Sequence, residues 1–206
     1  MSRLITFEGT EGSGKSTQAR RLWRRLCRAG IPAILTREPG GTDLGDDVRR
    51  ILKKKRATAV LPSAELMLFA ASRAQLVEEV LRPALKQGKV VVCDRYTDST
   101  IAYQHYGRGL DIGLIRRVND SATRGLRPDL VIFMSLPPET GLGRKKNAGN
   151  DRFESEELAF HRRVWRGYQE LAAAEPARWL VVDGTLPPLQ TGRIIWQRVN
   201  QLLDIP

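Results

Sequence analysis

Short runs of apolar residues recur along the chain, and at least one stretch with helical spacing separates each run from the next. The runs cover residues 4–7, 33–35, 90–93, 130–134 and 180–182. Runs that do not alternate with polar residues are typical of strands covered on both faces. The pattern therefore predicts an α/β fold with a mainly parallel sheet and helices on either side.

Six stretches show helical spacing of their apolar positions: residues 16–29, 43–54, 63–86, 112–124, 156–174 and 188–203. The third contains a charged residue within its apolar stripe, because Arg73 lies one turn after Phe69. An arginine in that setting needs a partner. A ligand and a buried acid both remain open as that partner.

The composition indicates one globular domain over residues 1–206, because 28% of the residues are charged, 41% are hydrophobic and only 11 are proline. No apolar run approaches the ~20 residues of a membrane span, and the N-terminus lacks the core of a signal peptide. We expect a cytoplasmic protein that does not associate with a membrane.

Cys27 and Cys93 lack metal-ligand spacing, so we expect both to be reduced core residues.

The chain carries 34 Lys and Arg against 23 Asp and Glu, a formal charge of +11. This excess favours a polyanionic partner, but nucleotides and nucleic acids both qualify. The basic tract at residues 53–56 has no interleaved aromatic residues, and a solvated helix end explains it. We therefore expect no nucleic-acid partner, and a nucleic-acid-binding P-loop protein is the less favoured alternative.

A phosphate-binding motif lies between the first predicted strand and the first predicted helix, since residues 9–16 fit G-x-x-x-x-G-K-[ST]. Backbone N–H groups of such a loop surround phosphate oxygens, while Lys15 places its charge on the β- and γ-phosphates and Ser16 can ligate Mg²⁺. Asp94, at the carboxyl end of the third predicted strand, is the second expected Mg²⁺ ligand. The predicted ATP contacts are Gly9, Thr10, Glu11, Gly12, Ser13, Gly14, Lys15, Ser16 and Thr17.

The segment at residues 141–152, hereafter the flap, is polar, basic and glycine-bearing. It predicts a mobile cover for the site, with an ordinary solvated loop as the alternative. The chain contains no Asn-Lys-x-Asp segment for guanine recognition and has no room for an ATPase-sized accessory domain. These features together favour a kinase that closes over a small phosphorylated acceptor.

Four further motifs follow the P-loop in order: Arg-Glu-Pro-Gly-Gly-Thr at 37–42, Leu-Phe-Ala-Ala-Ser-Arg at 68–73, Asp-Arg-Tyr at 94–96 and Ser-Thr-Ile-Ala-Tyr-Gln at 99–104. With them, nearly the whole chain closely resembles bacterial thymidylate kinases. The resemblance implies a P-loop NTPase fold of nucleoside monophosphate kinase type, with a five-stranded parallel sheet of order 2-3-1-4-5. It also implies a homodimer, which the apolar faces of the helices at 43–54 and 63–86 could form.

The activity that the resemblance implies is transfer of the γ-phosphoryl group of Mg·ATP to dTMP, giving dTDP and ADP for dTTP synthesis. The second pKa of the acceptor phosphate is about 6, so its oxygen is already a nucleophile at neutral pH and no general base is needed. Catalysis then reduces to positioning and charge neutralisation. A broader deoxynucleoside monophosphate kinase is the alternative within this fold.

The resemblance also implies the contacts of the thymine base. Phe69 is expected to stack on the ring, and Arg73 to donate a hydrogen bond to O4. Thr100 and Gln104 are expected to line the edge of the base. Pro39 is expected to pack near it, after a Glu38–Pro39 bond that can be cis.

The sugar and the acceptor phosphate have implied contacts of their own. Arg95 is expected to bridge the acceptor phosphate, and Glu11 to meet the 3′-hydroxyl of the sugar. Tyr103 is expected to crowd the 2′ position, which favours deoxyribose.

Positive charge at the transferred phosphoryl group needs a source besides Lys15. Some thymidylate kinases carry an arginine inside the P-loop, but this chain has Gly12 at that position. We therefore predict that flap arginines supply the charge, as arginine fingers do. Arg144, which follows a short predicted helix at 139–143, is the first choice, and Arg152 is the second.

Overall fold

Five parallel strands form a single sheet in the structure, a computed structural model that describes residues 2–145 and 152–204. The strands are β1 Arg3–Glu8, β2 Ala33–Arg37, β3 Val90–Asp94, β4 Leu130–Ser135 and β5 Trp179–Asp183. Their order across the sheet is β2-β3-β1-β4-β5, and every neighbouring pair is parallel. This confirms the α/β class and the strand order 2-3-1-4-5.

The α-helices of the described chain are α1 Lys15–Arg28, α2 Asp43–Lys53, α3 Pro62–Leu76, α4 Arg82–Lys86, α5 Thr97–Thr100, α6 Ile112–Thr123, α7 Pro138–Lys145, α8 Leu158–Ala174 and α9 Pro188–Leu203. A π-helical stretch, Val77–Leu81, joins α3 to α4, and a second, Ile101–Gly107, continues α5. All six predicted helices are therefore present. The sequence pattern did not predict α5 and its π-helical continuation, which carry several residues of the cleft described below.

The central strands are covered on both faces, which explains why their apolar runs do not alternate. On one face, α1 and α9 pack against Ile5, Phe7 and Val92. On the other, α8 and the π-helical stretch after α5 pack against Val131 and Phe133. The carboxyl ends of β1, β2 and β3 consequently meet at one open edge of the sheet, where parallel α/β proteins bind ligands.

The two cysteines lie in different surroundings. Cys93 is buried in β3, as predicted, and burial raises the pKa of its thiol well above the ordinary value. Cys27 is exposed on α1, so its prediction as a core residue was wrong. The inward positions of that helix are Leu22 and Leu26, and Cys27 lies on the outer face.

None of the helices in the two described stretches combines the length and apolar character that crossing a membrane requires.

Candidate active site

A cleft of about 440 Å³ opens at the carboxyl edge of the sheet. It is lined by the P-loop, the segment after β2, the middle of α3 and the residues after β3. Six of the nine predicted ATP contacts line the cleft: Glu11, Gly12, Gly14, Lys15, Ser16 and Thr17. The others, Gly9, Thr10 and Ser13, are buried within the loop and do not line the cleft.

The P-loop presents a cation and an uncapped helix start to the cleft. Gly14 has a left-handed backbone with a φ of 88° and precedes α1, whose first N–H groups have no side-chain cap. Such a helix start attracts anions. The ammonium group of Lys15 donates to the carbonyl of Thr10 at 3.1 Å and lies 3.9 Å from a carboxylate oxygen of Glu11. Contacts within the loop therefore fix the position of the Lys15 ammonium group at the cleft.

Helix α7 touches the P-loop at a point where neither segment has a side chain. Gly12 has a φ of 71°, and a Cβ atom there would overlap the carbonyl oxygen of Gly141. A Cβ on Gly141 would in turn overlap the carbonyl oxygen of Glu11. This contact brings Arg144 to the cleft, where it donates to the carbonyl oxygens of Gly184 at 3.1 Å and of Gly12 at 3.5 Å.

Asp94 ends β3 and lines the cleft together with Ser16. Its Oδ1 atom is buried and has no hydrogen-bond partner in the described chain, which fits a carboxylate that can ligate a cation. Oxygen ligands of this kind suit Mg²⁺, which usually takes one or two carboxylates and completes its shell with waters and phosphate. No group of three or more His, Cys, Asp or Glu residues within 2–145 and 152–204 could hold a metal ion by itself.

Arg95 lies at the centre of a hydrogen-bonded cluster. Its NH2 group donates to Glu11 at 2.7 Å and to the Tyr103 hydroxyl at 3.1 Å. Its NH1 group donates to Ser99 at 3.1 Å and to Tyr168 at 3.2 Å. Burial opposes its charge, but Tyr103 and Glu11 outweigh that effect and raise the pKa of Arg95 well above its ordinary value. The guanidinium group is therefore a fixed, permanently charged donor.

The backbone of Arg95 is left-handed, with a φ of 75°, which is uncommon for a residue with a side chain. Its N–H donates to the carbonyl of Phe7 at 2.9 Å, which secures this conformation. Unfavourable backbone conformations of this kind cluster at functional sites.

A buried carboxylate that the sequence analysis missed supports this cluster from below. Glu8 accepts hydrogen bonds from the Tyr96 N–H at 2.8 Å, from Ser99 at 2.5 Å and from Tyr168 at 3.0 Å. Burial and the charge of Asp98 raise the pKa of Glu8 to about 7. Glu8 precedes the P-loop directly, but the sequence has no signal that pairs it with Tyr168, 160 residues later.

The predicted base-binding residues meet in the second half of the cleft. Phe69, Arg73, Thr100, Gln104 and Pro39 all line it. The Glu38–Pro39 bond is cis.

Arg73 has protein partners on several sides. It is 1% exposed and forms an ion pair with the buried Glu38. It also donates to Asn119 at 2.5 Å and to Thr100 at 2.7 Å. Its Nε–H group is buried without a partner in the described chain. Arg73 therefore has the buried acid that one alternative required, and it lines the cleft as well.

Phe153 was not predicted, although it closes the base side of the cleft. Its ring centroid lies 6.0 Å from that of Phe69 and 6.1 Å from that of Tyr103. Phe153 follows the flap directly, so it is an isolated apolar residue that belongs to no periodic pattern. Its burial depends on contacts with elements that are distant in sequence, and a local pattern does not predict such contacts.

The two flap arginines occupy different places. Arg152 is not among the residues that line the cleft; it pairs with Glu65 at 2.6 Å and donates to the carbonyl of Leu52 at 3.0 Å. The structure therefore brings Arg144, but not Arg152, to the P-loop, and a catalytic role for Arg152 stays a prediction. The first part of the flap belongs to α7, and residues 146–151 lie outside the described residues.

The strand order and the P-loop between β1 and α1 define the class of the protein. Phe69 and Arg73 line the same cleft as the P-loop, so this cleft can hold a second ligand beside a nucleotide. The chain is a P-loop protein with the fold of the nucleoside monophosphate kinases.

Comparisons with known proteins identify the family within this class. The sequence model described as thymidylate kinase matches residues 7–195. Curated relatives named thymidylate kinase include one from Dehalococcoides mccartyi, 49% identical with full coverage of both chains. Another, from Roseiflexus sp., is 50% identical over 89% of this chain and 87% of its own. A crystal structure of thymidylate kinase from Ehrlichia chaffeensis superposes with a TM-score of 0.79 at 33% identity, covering 96% of this chain and 98% of that one. The chain belongs to the thymidylate kinase family.

Proposed function

We propose that the protein transfers the γ-phosphoryl group of Mg·ATP to dTMP and releases dTDP and ADP. The observation that carries this proposal is one cleft lined by the P-loop, by Phe69 and Arg73 and by Arg95, which bonds Glu11 of the P-loop. Such a cleft can hold a phosphoryl donor and a pyrimidine nucleotide end to end. Family membership supports the same reaction.

Positioning and charge account for the proposed chemistry. The acceptor phosphate is largely dianionic at neutral pH, since its second pKa is about 6, and it needs no base. Arg95 would hold that phosphate, and Lys15 would neutralise charge on the β- and γ-phosphates. Ser16 and Asp94 would hold the Mg²⁺ ion, which adds charge neutralisation at the phosphates when it is bound.

Base recognition would use the partly satisfied guanidinium group of Arg73. Glu38, Asn119 and Thr100 hold this group in place, and Arg73 would donate from the wall of the cleft to a carbonyl such as thymine O4. Phe69 would stack on the ring. Tyr103, whose hydroxyl donates to Glu11 at 3.0 Å, would restrict the space beside the sugar.

We also propose that the protein acts in the cytoplasm as a homodimer. Large apolar side chains are exposed on the adjacent helices α2 and α3: Leu44 at 48%, Ile51 at 42% and Met67 at 50%. A second copy packed on this face would remove them from water. Sedimentation equilibrium would measure the mass of the assembly.

An ADP-release assay with a panel of acceptors tests the activity. With ATP and Mg²⁺, we expect turnover with dTMP to exceed turnover with dCMP and dGMP, and the product to be dTDP. Similar rates with several of the acceptors dTMP, dUMP, dCMP and dGMP would support the broader kinase instead. Absence of ADP release with every acceptor would contradict the proposal.

Replacing Arg144 with alanine is expected to lower kcat by roughly 10-fold to 1000-fold, with a much smaller change in the KM for dTMP. The reason is that its guanidinium group lies at the P-loop and would meet charge that develops during transfer. Steady-state kinetics measure both constants. Arg162→Ala is the matched control, since Arg162 pairs on the surface with Glu139. A kcat within about twofold of wild type in Arg144→Ala would exclude this role.

Replacing Arg73 with alanine is expected to reduce kcat/KM for dTMP by roughly 100-fold and to weaken discrimination against dCMP. The substitution also leaves Glu38 buried without its cation, which costs about 3 to 5 kcal/mol of stability. Thermal unfolding therefore has to accompany the kinetics. An unchanged ratio of dTMP to dCMP turnover in a folded variant would make Arg73 purely structural.

A further inference from the structure

A fully buried carboxylate lies against the base side of the cleft, outside the predicted site. Glu65 on α3 has no exposed surface and accepts hydrogen bonds from three side chains. They are Gln104 Nε2 at 2.6 Å, Arg108 Nε at 3.3 Å and Arg152 NH1 at 2.6 Å. Two guanidinium groups thus balance the charge of Glu65, and the third donor is an amide that lines the cleft.

The chemistry of Glu65 fixes which end of the Gln104 amide faces it. An ionised carboxylate can only accept hydrogen bonds, so Gln104 must turn its NH₂ group towards Glu65. The carbonyl oxygen of Gln104, which has no partner in the part of the chain that the structure describes, is then left for the cleft. The orientation of this buried amide therefore follows from the ionic partner and not from the ligand.

An acceptor at this point distinguishes pyrimidine bases. Thymine and uracil carry an N–H donor at position 3, whereas cytosine has an unprotonated acceptor nitrogen there. A carbonyl oxygen that faces this edge pairs with the first two and repels the third. Amide NH₂ at the same place would reverse the preference.

We propose that Glu65 is a positioning residue that sets the direction of the Gln104 amide and thereby selects bases with an N–H group at position 3. The inference rests on the proposed function, because it concerns the acceptor base of that reaction. Glu65 touches no substrate atom and acts through Gln104. Arg108 and Arg152 keep the carboxylate in place from two further segments of the chain, and Arg108 is itself held by Glu156 at 2.6 Å.

Glu65→Gln is the direct test, because glutamine has nearly the same shape but offers both a donor and an acceptor. Gln104 can then turn over, so the ratio of kcat/KM for dTMP to that for dCMP is expected to fall at least about tenfold. The change is expected mainly in KM, since the contact holds the base in the ground state as well. If Glu65 had a merely structural role, the substitution would lower kcat/KM for dTMP and for dCMP alike and leave their ratio unchanged.

Two further variants complete the experiment. Glu156→Gln removes the other acidic partner of Arg108 without touching Gln104, and it is expected to keep the wild-type ratio. Gln104→Ala is expected to lower the ratio by itself, and adding Glu65→Gln to it is expected to change the ratio no further.

The outcomes separate the two proposals. Turnover of dTMP by the wild type tests the proposed function, independently of Glu65. If that turnover is normal and the ratio is unchanged in Glu65→Gln, the role of Glu65 is overturned while the activity stands. If Glu65→Gln does not fold, an unchanged ratio in Gln104→Ala overturns the role equally, and a lowered ratio supports it.

Discussion

Replacing Lys15 with alanine is expected to reduce turnover by about 1000-fold or more while the fold is retained. Lys15 is the cation of the P-loop, and its side chain is only 8% exposed, so its charge acts with little screening by water. The hydrogen bond from the Thr10 hydroxyl to the carbonyl of Leu136 at 3.3 Å does not involve Lys15 and is expected to remain in the variant.

The ADP-release assay measures this loss, and circular dichroism checks the fold. Lys86→Ala is a matched control, because Lys86 is an exposed lysine in the last turn of α4. Its turnover is expected to equal that of wild type. Near-normal turnover in Lys15→Ala would remove the phosphoryl-transfer assignment altogether.

Arg95→Ala is expected to lower kcat/KM for dTMP by roughly 100-fold to 1000-fold, because the proposed function assigns Arg95 to hold the acceptor phosphate. The left-handed backbone conformation at position 95 costs alanine about as much free energy as arginine, so the backbone is expected to keep this conformation in the variant. Glu8 still accepts from Ser99 and Tyr168, which preserves the support under the site.

Arg95→Lys tests the geometry of this contact. A lysine keeps the charge but cannot bond Glu11 and a phosphate with one planar group, so only part of the loss is expected to return. Arg127→Ala, at an exposed arginine paired with Glu175, serves as the control. If Arg95→Ala bound and phosphorylated dTMP like wild type, the acceptor phosphate would have to lie elsewhere.

The sheet and the donor half of the site could be predicted from sequence because their signals are local. Apolar runs mark buried strands, and the P-loop motif combines its glycines, lysine and serine within eight neighbouring positions. The helical stretch from Thr97 to Gly107 could not be predicted in this way. It is buried on several sides and turns polar residues such as Thr100 and Gln104 into the cleft, so it lacks an apolar face opposite a polar one.

The pairings in the acceptor half were also beyond prediction from one sequence. Glu38 is 35 residues from its partner Arg73, and Glu65 is 87 residues from Arg152. The apolar stripe of α3 indicated that Arg73 needs a partner, but nothing in the pattern identifies which acid it is. The position of Arg152 beside Glu65 likewise depends on packing between elements that are distant in sequence.

The glycine contact between the P-loop and α7 constrains how this chain can evolve. An arginine at position 12 would add a second cation to the loop, yet its Cβ would collide with Gly141 and force α7, with Arg144, away. An arginine at position 12 would thus remove Arg144 from its place at the P-loop. The effects of the two arginines would not add, which is negative epistasis between positions 132 residues apart. A lineage could exchange one arrangement for the other only through an intermediate in which α7 is already displaced.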